Sequence, residues 1–378
     1  MKKINESGNC KRVLIVLDTL RRGGLEIAAL RFARLLDKKC KCTFFIRRGD
    51  VIDESMLSSV AESGSQMIVM PRDRRGYIKE YFFLLKTMRE GKYDVVHSHL
   101  LFYNGIVMLA AYKAGVEKRI AQSHATENNR ICGTLRKAVS AVYKRVMRVL
   151  LRRYATDLVG CSEKAGAYMC GERLFKERGK VLPNYVDTDE YSFSAERRTQ
   201  KRKELGLEDE LLIGHTGSIY WIKNQTFLIS LFAQLIKIRS DARLILVGEE
   251  LDGGEARALA EKLGVTDKVM FMGNRNDIPD LLCAMDVFVF PSRFEALPIA
   301  PIEAQATGLP CVASQGVPEE IGVTDAFVRL PLEAPVSQWI DKILEFAAID
   351  RESADLSRLY AEYSAQSVAG MLSELYGI

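Results

Sequence analysis

The stretch Val289-Phe-Pro-Ser-Arg-Phe-Glu295-Ala-Leu-Pro-Ile-Ala-Pro-Ile-Glu303-Ala-Gln-Ala-Thr-Gly308-Leu-Pro310 carries the reading of the fold. It opens at the end of the apolar run 287–291, which has the length and composition of a buried strand. A helix is expected to begin near Pro298, because proline suits a first turn whose N–H groups have no helical partner. It is expected to end at Thr307, with Gly308 as the left-handed cap and Pro310 beyond it. The apolar run 310–313 follows as the next strand. A strand, a helix and a strand joined this tightly form one turn of a parallel α/β sheet covered on both faces.

The same grammar extends outward in both directions. Residues 211–215, 243–247 and 269–272 read as strands with helical stretches between them. Residues 12–17, 66–70, 94–98, 119–123 and 157–161 read as an earlier set, with helices over 25–36, 77–90, 103–114 and 134–154. The two sets are separated by 183–206, which holds Pro183, Asn184 and a charged run from Glu196 to Glu204 and reads as a linker. The expected organisation is an N-terminal domain over 1–183 and a C-terminal domain over 184–354. The last helix, about 355–378, can pack back on the first domain. A chain of 378 residues suits two such cores.

Charge divides the chain at the same place. The net charge is +5, yet residues 1–185 hold 36 Lys/Arg against 18 Asp/Glu and the remainder is acidic. The basic half is expected to face an anionic partner. Eight cysteines show no Cys-x-x-Cys pair, and four histidines are too few and too scattered for a metal pattern, so no metal is expected. Scattered thiols and an N-terminus without an apolar h-region lead to the expectation of a cytoplasmic protein. No run approaches the roughly 20 apolar residues of a spanning helix.

The residues that carry chemistry cluster where strands end. Glu295 precedes the helix and Glu303 lies inside it. A carboxylate accepts from two adjacent sugar hydroxyls, and a helix N-terminus attracts phosphate. The turn Gly214-His-Thr-Gly217-Ser218-Ile-Tyr-Trp-Ile-Lys223-Asn224 sets a cation beside backbone N–H groups. In the first half, Arg21-Arg22-Gly23-Gly24-Leu25-Glu26 joins a strand to a helix without the Gly-x-Gly-x-x-Gly fingerprint, which argues against a nicotinamide dehydrogenase.

Together these segments resemble the retaining glycosyltransferases of family 4, over roughly residues 12–320. The pair Glu295 and Glu303 matches the family's Glu-x7-Glu motif, and the flanking Pro-Ser-Arg-Phe and Ala-Gln-Ala-Thr-Gly-Leu-Pro are similar too. The resemblance implies a GT-B fold, with two Rossmann-like doubly wound domains facing a central cleft. It implies that Glu303 binds the ribose hydroxyls and Glu295 the donor hexose, with Ala296, Leu297 and Ile299 beside the donor. It sets Lys223 on the donor diphosphate with Gly217 and Ser218, Arg275 at the base pocket, and Gly23 and Gly24 near the phosphate. His124 matches a histidine that touches the donor sugar. His99 is expected on the acceptor side or in a structural role.

One position departs from the pattern. The family has an arginine directly after the glycine of the phosphate loop, and Ser218 stands there, so the bidentate fork is missing. Arg293, Arg275 and Arg21 are candidates to replace it. The helix 134–154 projects Lys137, Lys144, Arg145, Arg148 and Arg152 onto one face and Val139, Val142, Val146, Val149 and Leu150 onto the other. The basic face is expected to meet an anionic membrane surface or a lipid diphosphate.

The implied activity is transfer of a hexosyl unit from a nucleoside-diphosphate sugar, UDP-linked by family frequency, to a glycan or lipid-linked acceptor in polysaccharide assembly. Retention of configuration, no cofactor, no metal and no nucleic acid are expected, at the inner face of the membrane. The competing readings are a degenerate sugar-nucleotide-binding subunit, suggested by Ser218, and a sugar-nucleotide epimerase.

Overall fold

The computed structural model of the chain describes residues 10–21, 23–36, 39–126 and 134–378. Residues up to Tyr185 together with Gln366–Ile378 form a first unit, and Val186–Ala365 form a second. In the first unit the strands are β1 Lys11–Leu17, β2 Cys40–Ile46, β3 Gln66–Val69, β4 Val95–Ser98, β5 Lys118–Ser123, β6 Asp157–Gly160 and β7 Gly179–Val181. In the second they are β8 Leu212–Thr216, β9 Arg243–Val247, β10 Val269–Phe271, β11 Val287–Phe290, β12 Cys311–Ser314 and β13 Phe327–Leu330.

Every pairing is parallel, and the two sheets share one order. The first runs β3-β2-β1-β4-β5-β6-β7 and the second β10-β9-β8-β11-β12-β13. In each, the chain starts centrally, winds outward one way, and then crosses back to wind the other way. The crossing falls between β1 and β4, in register Val13↔Val95, and between β8 and β11, in register Val287↔Ile213. Outside the carboxyl ends of strands at such a crossing lies the crevice where doubly wound sheets bind ligands. The central strands are buried on both faces, which is why β1 and β11 are near-continuous apolar runs.

Besides the outer strands β7 and β13, which the sequence reading does not include, three features differ from it. The strand Cys40–Ile46 begins Cys-Lys-Cys-Thr, and Lys41 is exposed, so its apolar run is broken at the start. The expected linker contains the helix Ala195–Glu204, capped by Ser194, whose side chain accepts from the N–H of Arg197. Two of its arginines are structural. Arg198 donates to the carbonyls of Cys283, Ala284 and Met285 at 3.2, 3.0 and 3.0 Å, and Arg202 donates to Ala284 at 3.0 Å. These are the orphan carbonyls that end the helix Ile278–Ala284, where cations are favoured. A run of charge therefore docks here instead of lying in solvent. Thirdly, the C-terminal stretch is two helices, Ser357–Tyr363 and Ala365–Tyr376. They part at Ser364, whose extended backbone bridges Val186, and only the second belongs to the first unit.

The helix Thr134–Tyr154 packs closely on Asn104–Ala114. A Cβ on Gly105 would lie 2.9 Å from the carbonyl oxygen of Met147 and 3.2 Å from its Cα. Backbone cannot yield as a flexible side chain can. Gly→Ala inside a helix ordinarily stabilises by roughly 0.5–1 kcal/mol. Here Gly105→Ala is expected to destabilise by about 1–3 kcal/mol through overpacking, lowering the midpoint in thermal unfolding. A raised midpoint would show that the helices separate freely.

Candidate active site

The second unit brings two of its expected residues, Lys223 and Glu295, together from the segments after β8 and β11. Beyond β8 the chain turns at Gly217, whose φ of +138° is open to glycine. A Cβ on Gly248 would lie 2.3 Å from the carbonyl oxygen of Gly217, so the turns after β8 and β9 touch backbone to backbone. Lys223 ends the loop and reaches across to the segment after β11, with Nζ 2.7 Å from Oε1 of Glu295. The two side chains are only 17% and 13% exposed, and Nζ also sits 4.7 Å from the centre of the Phe290 ring. Lys223 and Glu295 were assigned separate tasks from the sequence, and they form an ion pair. Both charges are thus held at one point before a ligand arrives.

The loop is shaped by residues to which the sequence reading gave no role. His215, at the end of β8, donates from Nδ1 to the carbonyl of Val289, 2.9 Å away. Its Nε2 then accepts from Nε2 of Gln225 at 3.1 Å, and Gln225 also donates to the carbonyl of Ser218 at 3.0 Å. Burial lowers the His215 pKa to about 4, which keeps the ring neutral and this hydrogen-bond direction intact. Asn224, with φ +60°, donates to the carbonyl of Pro291. A strand-end histidine followed ten residues later by a glutamine is too plain a pattern to single out.

Glu303 is buried in the short helix Ala300–Ala306, whose start falls two residues later than expected. Gly308 closes the helix with φ +65°. Gln305, fully buried, fastens it: Nε2 donates to the carbonyls of Pro301 and Ile321, and Oε1 accepts from the N–H groups of Val323 and Thr324. Arg351 does the same from below, donating to the carbonyl of Thr307 at 2.7 Å and to that of Met285 at 2.9 Å. Ala296 and Ile299 are half-buried and Leu297 buried, on the segment between the two glutamates.

The candidates to replace the missing arginine are engaged or distant in sequence. Arg293 donates to Oδ1 of Asn224 at 2.9 Å and to the carbonyl of Trp221 at 3.2 Å. Arg275 forms a fork on Asp277, at 2.8 and 2.6 Å. Arg21 is exposed in the first unit. Asp277 precedes the helix Ile278–Ala284 without a side-chain cap; its carboxylate binds Arg275 and Lys201, and those hydrogen bonds hold its pKa well below the usual carboxylate range.

The first unit brings its histidines together at the ends of β4 and β5. His99 Nδ1 lies 2.9 Å from His124 Nε2. Burial lowers His99 well below its ordinary value and His124 to about 4, so both rings are neutral near pH 7 and one donates to the other. Among the described residues, His99 Nε2 and His124 Nδ1 have no hydrogen-bond partner. Because the rings share one hydrogen bond, these two free ends have opposite character: whichever carries a proton, the other is bare. His97 turns the other way, with Nδ1 2.8 Å from the Tyr376 hydroxyl, and so ties the last helix to the sheet.

Gly23 caps the helix Gly24–Leu35, and a Cβ there would meet the Glu26 carboxylate at 2.5 Å. Glu26 accepts from the Thr19 hydroxyl at 2.8 Å, and burial raises its pKa. The amide end assigned to phosphate thus already has a carboxyl beside it. Space opens instead at Gly24, where a Cβ would meet nothing within 4 Å.

The five basic residues of Thr134–Tyr154 do not form one solvated face. Lys144 sits 5.2 Å from the centre of the Phe102 ring and donates to the Tyr168 hydroxyl at 3.2 Å. Arg148 donates to the carbonyls of Tyr168 and Met169. Lys137, Arg145 and Arg152 are exposed. On the opposite face Val139, Val142, Val146 and Val149 are exposed, while Met147 and Leu151 fill the core. Among the described residues no cluster of three or more His, Cys, Asp or Glu could hold a metal, and no helix is long and apolar enough to cross a membrane.

The chain was compared with known proteins. Residues 22–190 match Glycosyltransferase Family 4, and residues 210–348 match Glycosyl transferases group 1. A putative glycosyltransferase of Bacillus subtilis, EpsF, is 32% identical, with 97% of both chains covered. The UDP-Gal:alpha-D-GlcNAc-diphosphoundecaprenol alpha-1,3-galactosyltransferase of Escherichia coli is 29% identical over 70% of this chain and 68% of its own. Among solved structures, Anabaena HepE in complex with UDP superposes with a TM-score of 0.80 at 18% identity, covering 97% of this chain and 99% of that one. That likeness establishes the two-domain Rossmann-like architecture of the GT-B fold. With relatedness of this extent, the chain belongs to the family 4, group 1 glycosyltransferases, enzymes that move a sugar from a nucleoside-diphosphate donor to an acceptor.

Proposed function

We propose that the chain transfers a hexosyl unit, with retention of configuration, from a UDP-linked donor to a lipid-diphosphate-linked acceptor at the inner face of a membrane, in polysaccharide or glycoconjugate assembly. The observation that carries the reading is the Lys223–Glu295 pair at the β8/β11 crossing, with Glu303 buried eight residues further along the chain. Lys223 meets the diphosphate, and Glu295 and Glu303 accept from hexose and ribose hydroxyls. The UDP assignment is supported by HepE, whose structures are complexes with UDP and with UDP-glucose. The lipid acceptor is supported by the Escherichia coli relative, whose name carries a diphosphoundecaprenol substrate.

In the proposed reaction the bond from the sugar C1 to the leaving phosphate oxygen breaks. The acceptor oxygen forms its bond to C1 on the same face, and its proton passes to the leaving phosphate. No side-chain nucleophile is needed. The chain's own contribution is positioning and charge stabilisation: Lys223 neutralises charge that grows on the diphosphate, and Gly217 and Ser218 let backbone approach it. His124, hydrogen-bonded to His99, is proposed as a donor-sugar contact in the first unit.

The test is a thermal-shift series with UDP and UDP-sugars. The wild-type protein is expected to be stabilised by mass action. Glu303→Ala is expected to weaken nucleotide binding by about 10- to 150-fold, the equivalent of about 1.4–3 kcal/mol for hydrogen bonds to a charged group. An unchanged shift would sink the ribose assignment. The anomeric configuration of the product, read by NMR, decides retention.

A further inference from the structure

The exposed valines of Thr134–Tyr154 are the feature that the donor chemistry does not use. Val139, Val142, Val146 and Val149 are 63%, 65%, 48% and 60% exposed. At about 100° per residue they span an arc of about 80°, a continuous apolar stripe along three turns. The next helix adds to it. Tyr77, Ile78 and Phe82, at the start of Tyr77–Gly91, are 58%, 74% and 60% exposed. Tyr77 links the two helices through a tilted ring contact with Tyr143, ring centres 6.2 Å apart. Tyr77 and Phe82 are the kind of large apolar side chain that surface helices rarely present together.

The charge around this surface has one sign along the longer helix. Thr134–Tyr154 contains seven Lys or Arg and no Asp or Glu. Arg145 and Arg152 border the valine stripe, and Arg153 closes its C-terminal end; all three are exposed. Lys144 and Arg148 are turned inward onto Phe102 and Tyr168, and that rotation is what leaves the valines outward.

We propose that this surface docks on an anionic bilayer, with the valine stripe and the Ile78 and Phe82 side chains entering the interface and the flanking cations pairing with lipid headgroups. An apolar face bordered by basic residues is what binding in the plane of such a membrane requires. A second copy of the chain fits poorly, because a two-fold interface on this helix would bring its cations against their own images. The inference deepens the lipid-acceptor half of the proposed function and does not depend on the donor site. It replaces the basic face with the apolar stripe as the part that enters the membrane.

The test is co-sedimentation of the full chain with vesicles of phosphatidylcholine alone and with about one third phosphatidylglycerol, at low and at physiological salt. The wild-type protein is expected to bind the anionic vesicles and to be weakened by salt. Val142→Asp/Val146→Asp is expected to reduce that binding at least tenfold. Because these valines are exposed, the variant should keep its thermal midpoint and its UDP-sugar shift. Ile78→Asp/Phe82→Asp tests the other helix independently and should show the same loss. Absence of wild-type binding to anionic vesicles overturns the proposal, as does either folded variant binding like wild type. A wild-type dimer that the valine variant dissolves, seen by sedimentation velocity, overturns it in favour of self-association. A retained UDP-sugar shift with no vesicle binding removes the membrane surface alone and leaves the donor reading standing.

Discussion

Lys223→Ala is expected to lower kcat with a nucleotide-sugar donor by about 100- to 1,000-fold, the usual effect of deleting one preorganised group that stabilises transition-state charge. The geometry makes Lys223 the strongest such position. It is the one basic residue between Gly217 and Asn224, where the family pattern sets two. Arg293 is committed to Asn224 and Arg275 to Asp277, so neither guanidinium is idle near the loop. The substitution also leaves Glu295 little exposed and without its partner, which destabilises the apo protein. Two measurements separate these effects. Thermal unfolding without ligand reports the lost pair, and kcat at saturating donor reports the lost charge. Glu295→Gln provides the control: it removes the charge of the partner while keeping a hydroxyl-binding amide, so it should raise donor KM with a smaller loss of kcat than Lys223→Ala. Wild-type turnover in Lys223→Ala would remove Lys223 from the reaction.

The doubly wound architecture was legible because its signals are local. Apolar runs of strand length, a proline early in a helix and a glycine after it mark the unit around Glu295 and Glu303, and Gly308 closes that helix with positive φ. The strand Cys40–Ile46 was missed because Lys41 interrupts its start. The helix Ala195–Glu204 was read as linker because its arginines looked solvated, while their partners, the carbonyls of residues 283–285, lie over eighty residues away. The periodicity of Thr134–Tyr154 correctly gave two faces. It could not tell which one packs, since Phe102 and Tyr168 accept Lys144 and Arg148 as packing partners. The individual site residues were readable, but their pairings were not: Lys223 with Glu295 spans 72 positions and His99 with His124 spans 25.

Acid should unfold this protein steeply, beginning near pH 6.5. Three of the four histidines are buried, His97 and His215 fully and His99 nearly so, and His124 is half-buried. Burial lowers His97 to about 3 and His124 and His215 to about 4, and holds His99 well below the ordinary value. In the unfolded chain each returns to about 6.5. Above pH 7 both states are neutral at these positions, and the histidines contribute no pH dependence. Below about 6.5 the unfolded state takes up protons that the folded state refuses, so stability falls as pH falls, until the folded pKa values are reached. One histidine costs about 1.4 kcal/mol per pH unit in that window. Four acting together cost about 5 kcal/mol per unit near pH 5, a large share of the 5–15 kcal/mol typical of a folded domain. Glu26, raised by burial, works in the opposite direction but is a single group. Carboxylates held low by their partners, such as Asp277, act only at lower pH, so the histidines dominate the interval from 6.5 to 5. Urea unfolding at pH 7.5, 6.5, 5.5 and 5.0 should give a flat limb followed by this slope. Gln in place of His215 keeps a neutral hydrogen-bonding side chain and should reduce the slope by about one proton's share. A stability that stays level down to pH 5 would mean that the histidines titrate in the folded protein, and that the neutral His99–His124 pair is not the state present at work.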